Sequence, residues 1–248
     1  MKRALCACLF VLAASSICSA QFTYYYPQVA SGTYAGGRWQ TTIFITNSGG
    51  VLSNGSITLT RDDGGPYFLN WVDDRGAPVA SGNEVGFQLG AGETRKFVSL
   101  ADAELSTGYA TVTANAPVMG TALYTNFNSA GQILGEASVP AAIPLGRQAL
   151  FVDTQNGFRT GLAIANPNNA RLNITFELIN TAGQKIGTAK RQVPPFQHMA
   201  LFINELFPDA PPTVGRVQFW CVNPMTSVGL RFDIATGIFT TLPPVAIQ

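Results

Sequence analysis

Along most of the chain, apolar residues alternate with hydroxyl and amide side chains at a period of two. Thr41-Thr42-Ile43-Phe44-Ile45-Thr46, Ile57-Thr58-Leu59-Thr60 and Val217-Gln218-Phe219 each set every second residue on one apolar face, as a strand with one buried side requires. Between such runs stand Asn-Ser-Gly-Gly (47–50), Asp-Asp-Gly-Gly (62–65), Asn-Pro-Asn-Asn (166–169) and Ala-Gly-Gln (182–184). Glycine and asparagine tolerate the backbone of tight turns and end each strand. Helical spacing is confined to Leu100–Leu105 and Ile203–Phe207, each short enough to be a single turn bridging two sheets.

The pattern occurs twice. Trp39–Gly64 lies on Phe158–Gly183 without a gap at an offset of 119 (166 − 47), with Asn47 on Asn166, Ile45 on Ile164, Leu59 on Leu178 and Ile57 on Phe176. Leu89–Phe97 lies on Val193–Leu201 at an offset of 104, so the first copy carries 15 further residues (119 − 104), all within 65–86. Gly108–Pro117 lies on Gly215–Pro224 at an offset of 107, setting Ala110, Val112 and Ala114 against Val217, Phe219 and Cys221. Three blocks in one order, with Gly, Asn and Pro matched, describe a single unit written twice.

Many short strands spaced by roughly 8 to 12 residues, with few charges and abundant Thr, Gly and Ala, predict an all-β chain. The expected architecture is two tandem immunoglobulin-like antiparallel β-sandwiches. The joint falls in Pro140-Ala-Ala-Ile-Pro144-Leu-Gly146, because two prolines so close cannot both sit in a central strand. Residues 21–143 then form the first sandwich, with its insertion within 65–86, and residues 144–248 form the second.

At the amino terminus, Lys2 and Arg3 precede an apolar run from Ala4 to Ala14 and the small residues Cys18-Ser19-Ala20. This is the pattern of a secretory signal peptide over residues 1–20, with cleavage before Gln21 and an extracytoplasmic destination: secreted, periplasmic or cell-surface. Lipidation of Cys18 is the lesser alternative, since the bulky Ile17 stands where a small residue is wanted. Losing this segment takes the formal net charge from +1 to −1 and leaves Cys221 as the one cysteine of four. The mature chain then has no intramolecular disulfide, and its hydrophobic interior must hold it. No later apolar run reaches the ~20 residues of a membrane-spanning helix. With 46 % hydrophobic and 12 % charged residues, extended disorder and a polybasic nucleic-acid binder are both disfavoured.

Two sets of residues carry a family resemblance. They are Tyr26-Pro27-Gln28-Val29-Ala30 with Gly37-Arg38-Trp39-Gln40-Thr41, and Asn156-Gly157-Phe158-Arg159-Thr160-Gly161 with the later Glu205-Leu206-Phe207-Pro208. They resemble the tandem immunoglobulin-like β-sandwich repeats of exported bacterial proteins, in which Pro-Gln-x-Ala leads into Gly-Trp-x-Thr and then a Glu-Leu-Phe-Pro turn. The resemblance implies a fold and an exported location, and it transfers no functional residue. The first copy departs from the pattern by its insertion and by lacking Glu-Leu-Phe-Pro.

Candidate chemistry is sparse. One histidine, His198, and one mature cysteine cannot supply the three or four ligands of zinc sites. No Gly-x-Ser-x-Gly elbow or phosphate-cradling glycine loop occurs, so no cofactor, metal or catalytic residue is assigned. His198 reads as a surface or loop-end residue beginning a strand, and Cys221 as a small hydrophobe on the core face. Asp62-Asp63-Gly64 and Asp73-Asp74 read as turn residues rather than a calcium loop. The sequons Asn54-Gly-Ser and Asn173-Ile-Thr are 119 apart and incidental.

Aromatic residues common to both copies, such as Trp39 over Phe158, read as packing. Core or inter-domain packing is the leading reading for the aromatics peculiar to the insertion as well, and if a ligand is held by stacking on a sugar ring, Tyr67, Phe68 and Trp71 are the residues to consider. The leading expectation is an exported, non-enzymatic structural or interaction protein: a surface, matrix or adhesion component whose partner is an unknown protein or glycan. A carbohydrate-binding module using the insertion aromatics is the alternative. A periplasmic chaperone-like protein is a lesser one, disfavoured by the matched halves and the slightly negative mature charge.

Overall fold

The computed structural model describes residues 21–247, so the proposed signal peptide and the Cys18 alternative lie outside the described residues. Nearly every described segment is a strand or a turn between strands. The first half comprises β1 (Phe22–Tyr34), β2 (Gly37–Asn47), β3 (Ser53–Arg61), β4 (Leu69–Val72), β5 (Pro78–Gly82), β6 (Glu84–Leu89), β7 (Thr94–Ser99), β8 (Ser106–Ala114), β9 (Val118–Asn128) and β10 (Ile133–Pro140). The second comprises β11 (Leu145–Asp153), β12 (Phe158–Ala165), β13 (Leu172–Asn180), β14 (Lys185–Val193), β15 (His198–Phe202), the helical turn α1 (Ile203–Leu206), β16 (Val214–Asp233), β17 (Phe239–Leu242) and β18 (Val245–Ala246).

Each half is an antiparallel sandwich of the immunoglobulin-like kind. In the first, β6-β3-β8-β1 faces β5-β4-β7-β2-β9-β10, and the end of β1 crosses over to pair with β2. In the second, β14-β13-β16-β11-β18 faces β15-β12-β16-β17. The 20-residue β16 serves both sheets, pairing with β13 and β11 through its first part and with β12 and β17 through its second. In the first half the same two tasks fall to β8 and β9, separated by Asn115-Ala116-Pro117.

Period-two patterning explains the interiors. Ile57, Leu59, Val112, Val85, Phe87 and Leu89 meet Ile43, Ile45, Phe97 and Ala122 between the first pair of sheets. Phe176, Leu178, Phe219 and Val217 meet Leu162 and Ile164 between the second pair. Phe176 and Phe219 stack at 5.6 Å between ring centroids.

The copies match in hydrogen bonding as well as in pattern. Asn47 is fully buried and donates to the carbonyls of Val51 (2.7 Å) and Leu89 (3.0 Å). Asn166 is equally buried and donates to Ala170 (2.9 Å) and Val193 (3.1 Å), the residues at the same offsets of 119 and 104. Thr41 Oγ1 bridges the backbone of Ala30, and Thr160 Oγ1 that of Asp153. A Cβ on Gly108 or Gly215 would run into the carbonyl of Thr60 or Ile179, again 119 apart, so close strand approach demands glycine at both places.

Between the copies, β1 and β10 of the first half pack on β12, β16 and β17 of the second, and Trp39 of β2 reaches across to Phe239. Ala163, Val228 and Phe239 of the second half join the buried cluster of the first, with Leu230 and Phe232 at its margin. A column of rings crosses the junction: Trp39 to Phe239 at 5.2 Å, Phe239 to Phe232 at 5.4 Å and Phe232 to Phe202 at 5.6 Å, capped by the Arg159 guanidinium 3.7 Å from Phe202. Phe239 lies so close to Gly135 that a Cβ there would strike its ring. Thr241 Oγ1 donates to the Ser138 carbonyl across the same seam.

One local expectation changes. Leu100–Leu105 is irregular chain with no helical turn, whereas Ile203–Leu206 is helical. The Glu205 carboxylate accepts the Phe202 N–H at the start of that turn (2.6 Å), and Leu206 and Phe207 bury beneath it. Within the insertion, β4 and β5 form a hairpin added to the edge of β7.

Candidate functional site

The insertion aromatics do not form a binding platform. Tyr67 and Trp71 are 3 % and 1 % exposed and belong to the first core, while Phe68 points outward at 67 % exposure. The alternation of β4 accounts for this: Tyr67, Leu69 and Trp71 share the inner side, and Phe68 and Asn70 the outer. Tyr67 donates its hydroxyl to the Ser106 carbonyl and accepts the Ser31 N–H (3.1 Å), and desolvation by burial pushes its pKa up to about 12. Its N–H donates to the Leu59 carbonyl (3.2 Å), so the insertion enters the core beside Leu59, the counterpart of Leu178, which lines a groove with Phe207. Two of the three residues considered for sugar stacking are therefore structural, and the third stands alone.

His198 begins β15, yet it is not a surface residue, because its side chain is fully buried against the turn of the other half. Its Nδ1 lies 2.7 Å from Asp62 Oδ1, its N–H donates to the Asp62 carbonyl (3.1 Å), and Gln197 donates to the Asp63 carbonyl (3.1 Å). Burial would raise the Asp62 carboxyl, but the hydrogen bonds with His198 and Thr107 and the electrostatic attraction of His198 outweigh it and hold the pKa below the ordinary value. Asp63 and Asp73 cap their own turns by accepting the N–H groups of Gly65 and of Arg75 and Ala77. Cys221 is half-buried against the second core. Among the described residues no group of three or more His, Cys, Asp or Glu is placed to hold a metal ion.

The groove at the free end of the second sandwich, about 300 Å³, is lined by Phe158, Arg159, Ile203, Asn204, Phe207 and Ile234, among others. Its floor is formed by the buried Leu178, Ile203 and Phe207, and at its rim the Arg159 guanidinium donates to Asn204 Oδ1 (3.4 Å).

The surface with distinctive chemistry is the outer face of β14-β13-β16-β11. Since Val217 and Phe219 point inward, Arg216, Gln218 and Trp220 point outward on β16. Strand register then builds rows across the sheet. Arg147, Trp220, Thr175 and Lys190 form one row; Ala149, Gln218, Glu177 and Thr188 the next; Phe151, Arg216, Ile179 and Lys185 the third. Phe151 is 66 % exposed, Trp220 is partly exposed, and the Arg147 guanidinium leans on the indole 5.4 Å from its centroid.

Four cations on this face meet one carboxylate, Glu177, which is already engaged. It accepts from Gln218 Nε2 (2.7 Å) and Lys185 Nζ (3.1 Å), and these two bonds hold its pKa below the ordinary range against a small desolvation. Arg147, Lys190 and Arg216 have no carboxylate within 4.0 Å among the described residues. Charge is split between the halves: residues 21–143 carry five Lys and Arg against nine Asp and Glu, and residues 144–248 carry eight against five. The split is countable from the sequence, but only strand register shows that the outward positions of the second half gather the positive excess on one sheet.

No protein-family model matches the chain, and no curated protein matches it. Among solved structures it is similar to BcpA, the major pilin subunit of Bacillus cereus, with 13 % identity and a TM-score of 0.21, over 92 % of this chain and 61 % of that one. It is also similar to a beta-glucuronidase from glycoside hydrolase family 2, with 10 % identity and a TM-score of 0.18, over 88 % of this chain and 25 % of that one. The chain thus spans less than two thirds of either protein's length. At these values neither likeness bears on function, and the fold class rests on the strand pairing itself. No helix among the described residues is long and apolar enough to cross a membrane.

Proposed function

We propose that the chain is an exported, non-enzymatic structural or interaction protein, in which two sandwiches locked together act as a stiff support for an exposed basic and aromatic sheet face. The observation that carries the reading is the row Arg147–Trp220–Thr175–Lys190 on four hydrogen-bonded strands, with its cations left without carboxylate partners. Unpaired cations beside exposed aromatic rings on a rigid sheet are arranged for contact with a partner rather than for internal stability. The basic, apolar and small-residue pattern of residues 1–20 and the resemblance to exported tandem repeats support a place outside the cytoplasm, as a surface, matrix or adhesion component.

Cell fractionation tests the reading. The protein is expected outside the cytoplasm with Gln21 as its first residue, retained on the cell envelope or matrix, and released from it by the double substitution Arg147→Ser and Trp220→Ala. Cytoplasmic accumulation, or retention indifferent to that substitution, would overturn it.

A further inference from the structure

We propose that the outer face of β14-β13-β16-β11 binds an acidic polysaccharide, stacking a pyranose ring on Trp220 and pairing the polymer's carboxylates with Arg147, Lys190 and Arg216. The inference rests on reading this face as the contact surface, and it names the chemistry of the partner.

Ordinary structural roles account for only part of the positive charge. Lys185 and Lys190 lie on β14, which pairs with β13 alone, and edge lysines discourage pairing with other chains. That reason does not extend inward. Arg216 stands on β16, paired on both sides, and Arg147 on β11, whose far edge is covered by β18. Neither arginine is fixed by a carboxylate, so their charge is free to meet an anion, and a planar guanidinium suits a carboxylate through two parallel hydrogen bonds.

The dimensions suit an extended sugar polymer. Strands lie about 4.8 Å apart and residues rise about 3.4 Å along each, so Arg147 and Lys190 are about 14 Å apart in their row, and Trp220 and Arg216 about 14 Å apart along β16. A ring on Trp220 would therefore have a cation on either side across the sheet and a third along it. The indole offers an apolar plane to the C–H face of a pyranose, and Gln218, Thr175 and Thr188 offer hydrogen-bonding groups between the charges.

The corresponding face of the first half presents no lysine or arginine in its paired rows. Tyr25 and Tyr109 stand among threonines and serine on β1, β8 and β3 there, and the edge strand β6 adds the carboxylate of Glu84 in the row of Tyr25, Thr111 and Thr58. A second copy of the chain fits the basic face less well than a polysaccharide does. The acids of the first half are spread over several turns and strands rather than gathered on one face, and most are tied locally: Asp62 to His198, Asp63 to Arg61, Asp73 to its own turn, Glu93 to Arg95, Asp102 to Asn70 and Glu136 to Thr125.

The test is titration of the mature chain with polygalacturonate and, separately, with its fully methyl-esterified form, which keeps the sugar backbone and removes the charge. Binding to polygalacturonate is expected, weakening as salt is raised from 0.1 M to 1 M because exposed charges are screened. Affinity should fall about tenfold or more in Trp220→Ala and further when Arg147, Lys190 and Arg216 are all changed to serine. Phe68→Ala, on the other half, should leave it unchanged, and unaltered thermal unfolding would show that the variants are folded.

Equal binding of the esterified polymer, binding indifferent to Trp220→Ala, or self-association in place of polymer binding would overturn the inference. A chain that stays on the envelope through this face yet ignores polygalacturonate would overturn the partner while leaving the proposed function standing. A chain that does neither would overturn both.

Discussion

The indole of Trp39 and the ring of Phe239 lie 5.2 Å apart although they belong to different sandwiches, and Phe239 is only 3 % exposed. Deleting the ring removes the centre of the aromatic column. Phe239→Ala is expected to cost about 3–5 kcal/mol, the range for emptying a buried phenylalanine site. The loss should fall on the junction, so urea unfolding followed by Trp fluorescence and by circular dichroism should cease to coincide, the mark of a lost all-or-none transition.

Asn166 predicts a different kind of loss. Its two amide N–H groups are shared among three carbonyls, those of Ala170, Val193 and Pro194, while its oxygen accepts the Asn168 N–H. Asn166→Ala leaves buried carbonyls unpaired, at a cost of about 1–3 kcal/mol. Asn166→Asp keeps the acceptor and loses the donors, so at neutral pH it should be at least as damaging. The same pair of substitutions at Asn47 should repeat the result, measured as shifts in the urea midpoint.

Tyr67 sets an alkaline limit. Its folded pKa of about 12 exceeds the ordinary value of 10.0, so the neutral phenol is the form the fold favours. That contribution is complete below pH 10 and is lost as pH rises from 10 towards 12, up to about 3 kcal/mol for two pKa units. Tyr67→Phe should be less stable at neutral pH, through loss of its bonds to Ser31 and Ser106, and should show a shallower decline of stability above pH 10.

Acid acts on the Asp62–His198 contact. Because the Asp62 carboxyl is held below its ordinary pKa in the folded chain, its contribution is full above the ordinary aspartate range and is lost as pH falls through the lowered value. Asp62→Asn should be less stable at neutral pH and should lose part of the acid dependence below the ordinary range. A stability profile identical to the parent at every pH would remove the pair from the account of the junction.

The strands, the turns and the second copy of the unit were legible because burial of one sheet face imposes period two, and because Asn47 and Asn166 perform one task at one offset. Which of the insertion aromatics face inward was hidden for a local reason. Phe68 places an exposed aromatic between Tyr67 and Leu69, which hides the alternation that turns Tyr67 and Trp71 inward. His198 was misread for a non-local one: Asp62 is 136 residues away, and no pattern along the chain reports a contact made by docking two sandwiches. Trp220 could be set opposite Phe219 from sequence, but its companions Arg147 and Lys190 come from strands 73 residues (220 − 147) and 30 residues (220 − 190) earlier, and only register assembles the row.

The central claim is that one sandwich unit, written twice, is joined through a shared apolar core into a single cooperative body. Differential scanning calorimetry of residues 21–248 tests it most directly. The account predicts one transition whose calorimetric enthalpy equals its van't Hoff enthalpy, about 160 kcal/mol near 60 °C at about 0.7 kcal/mol per residue. Two separate transitions, each carrying about half that enthalpy, would contradict it.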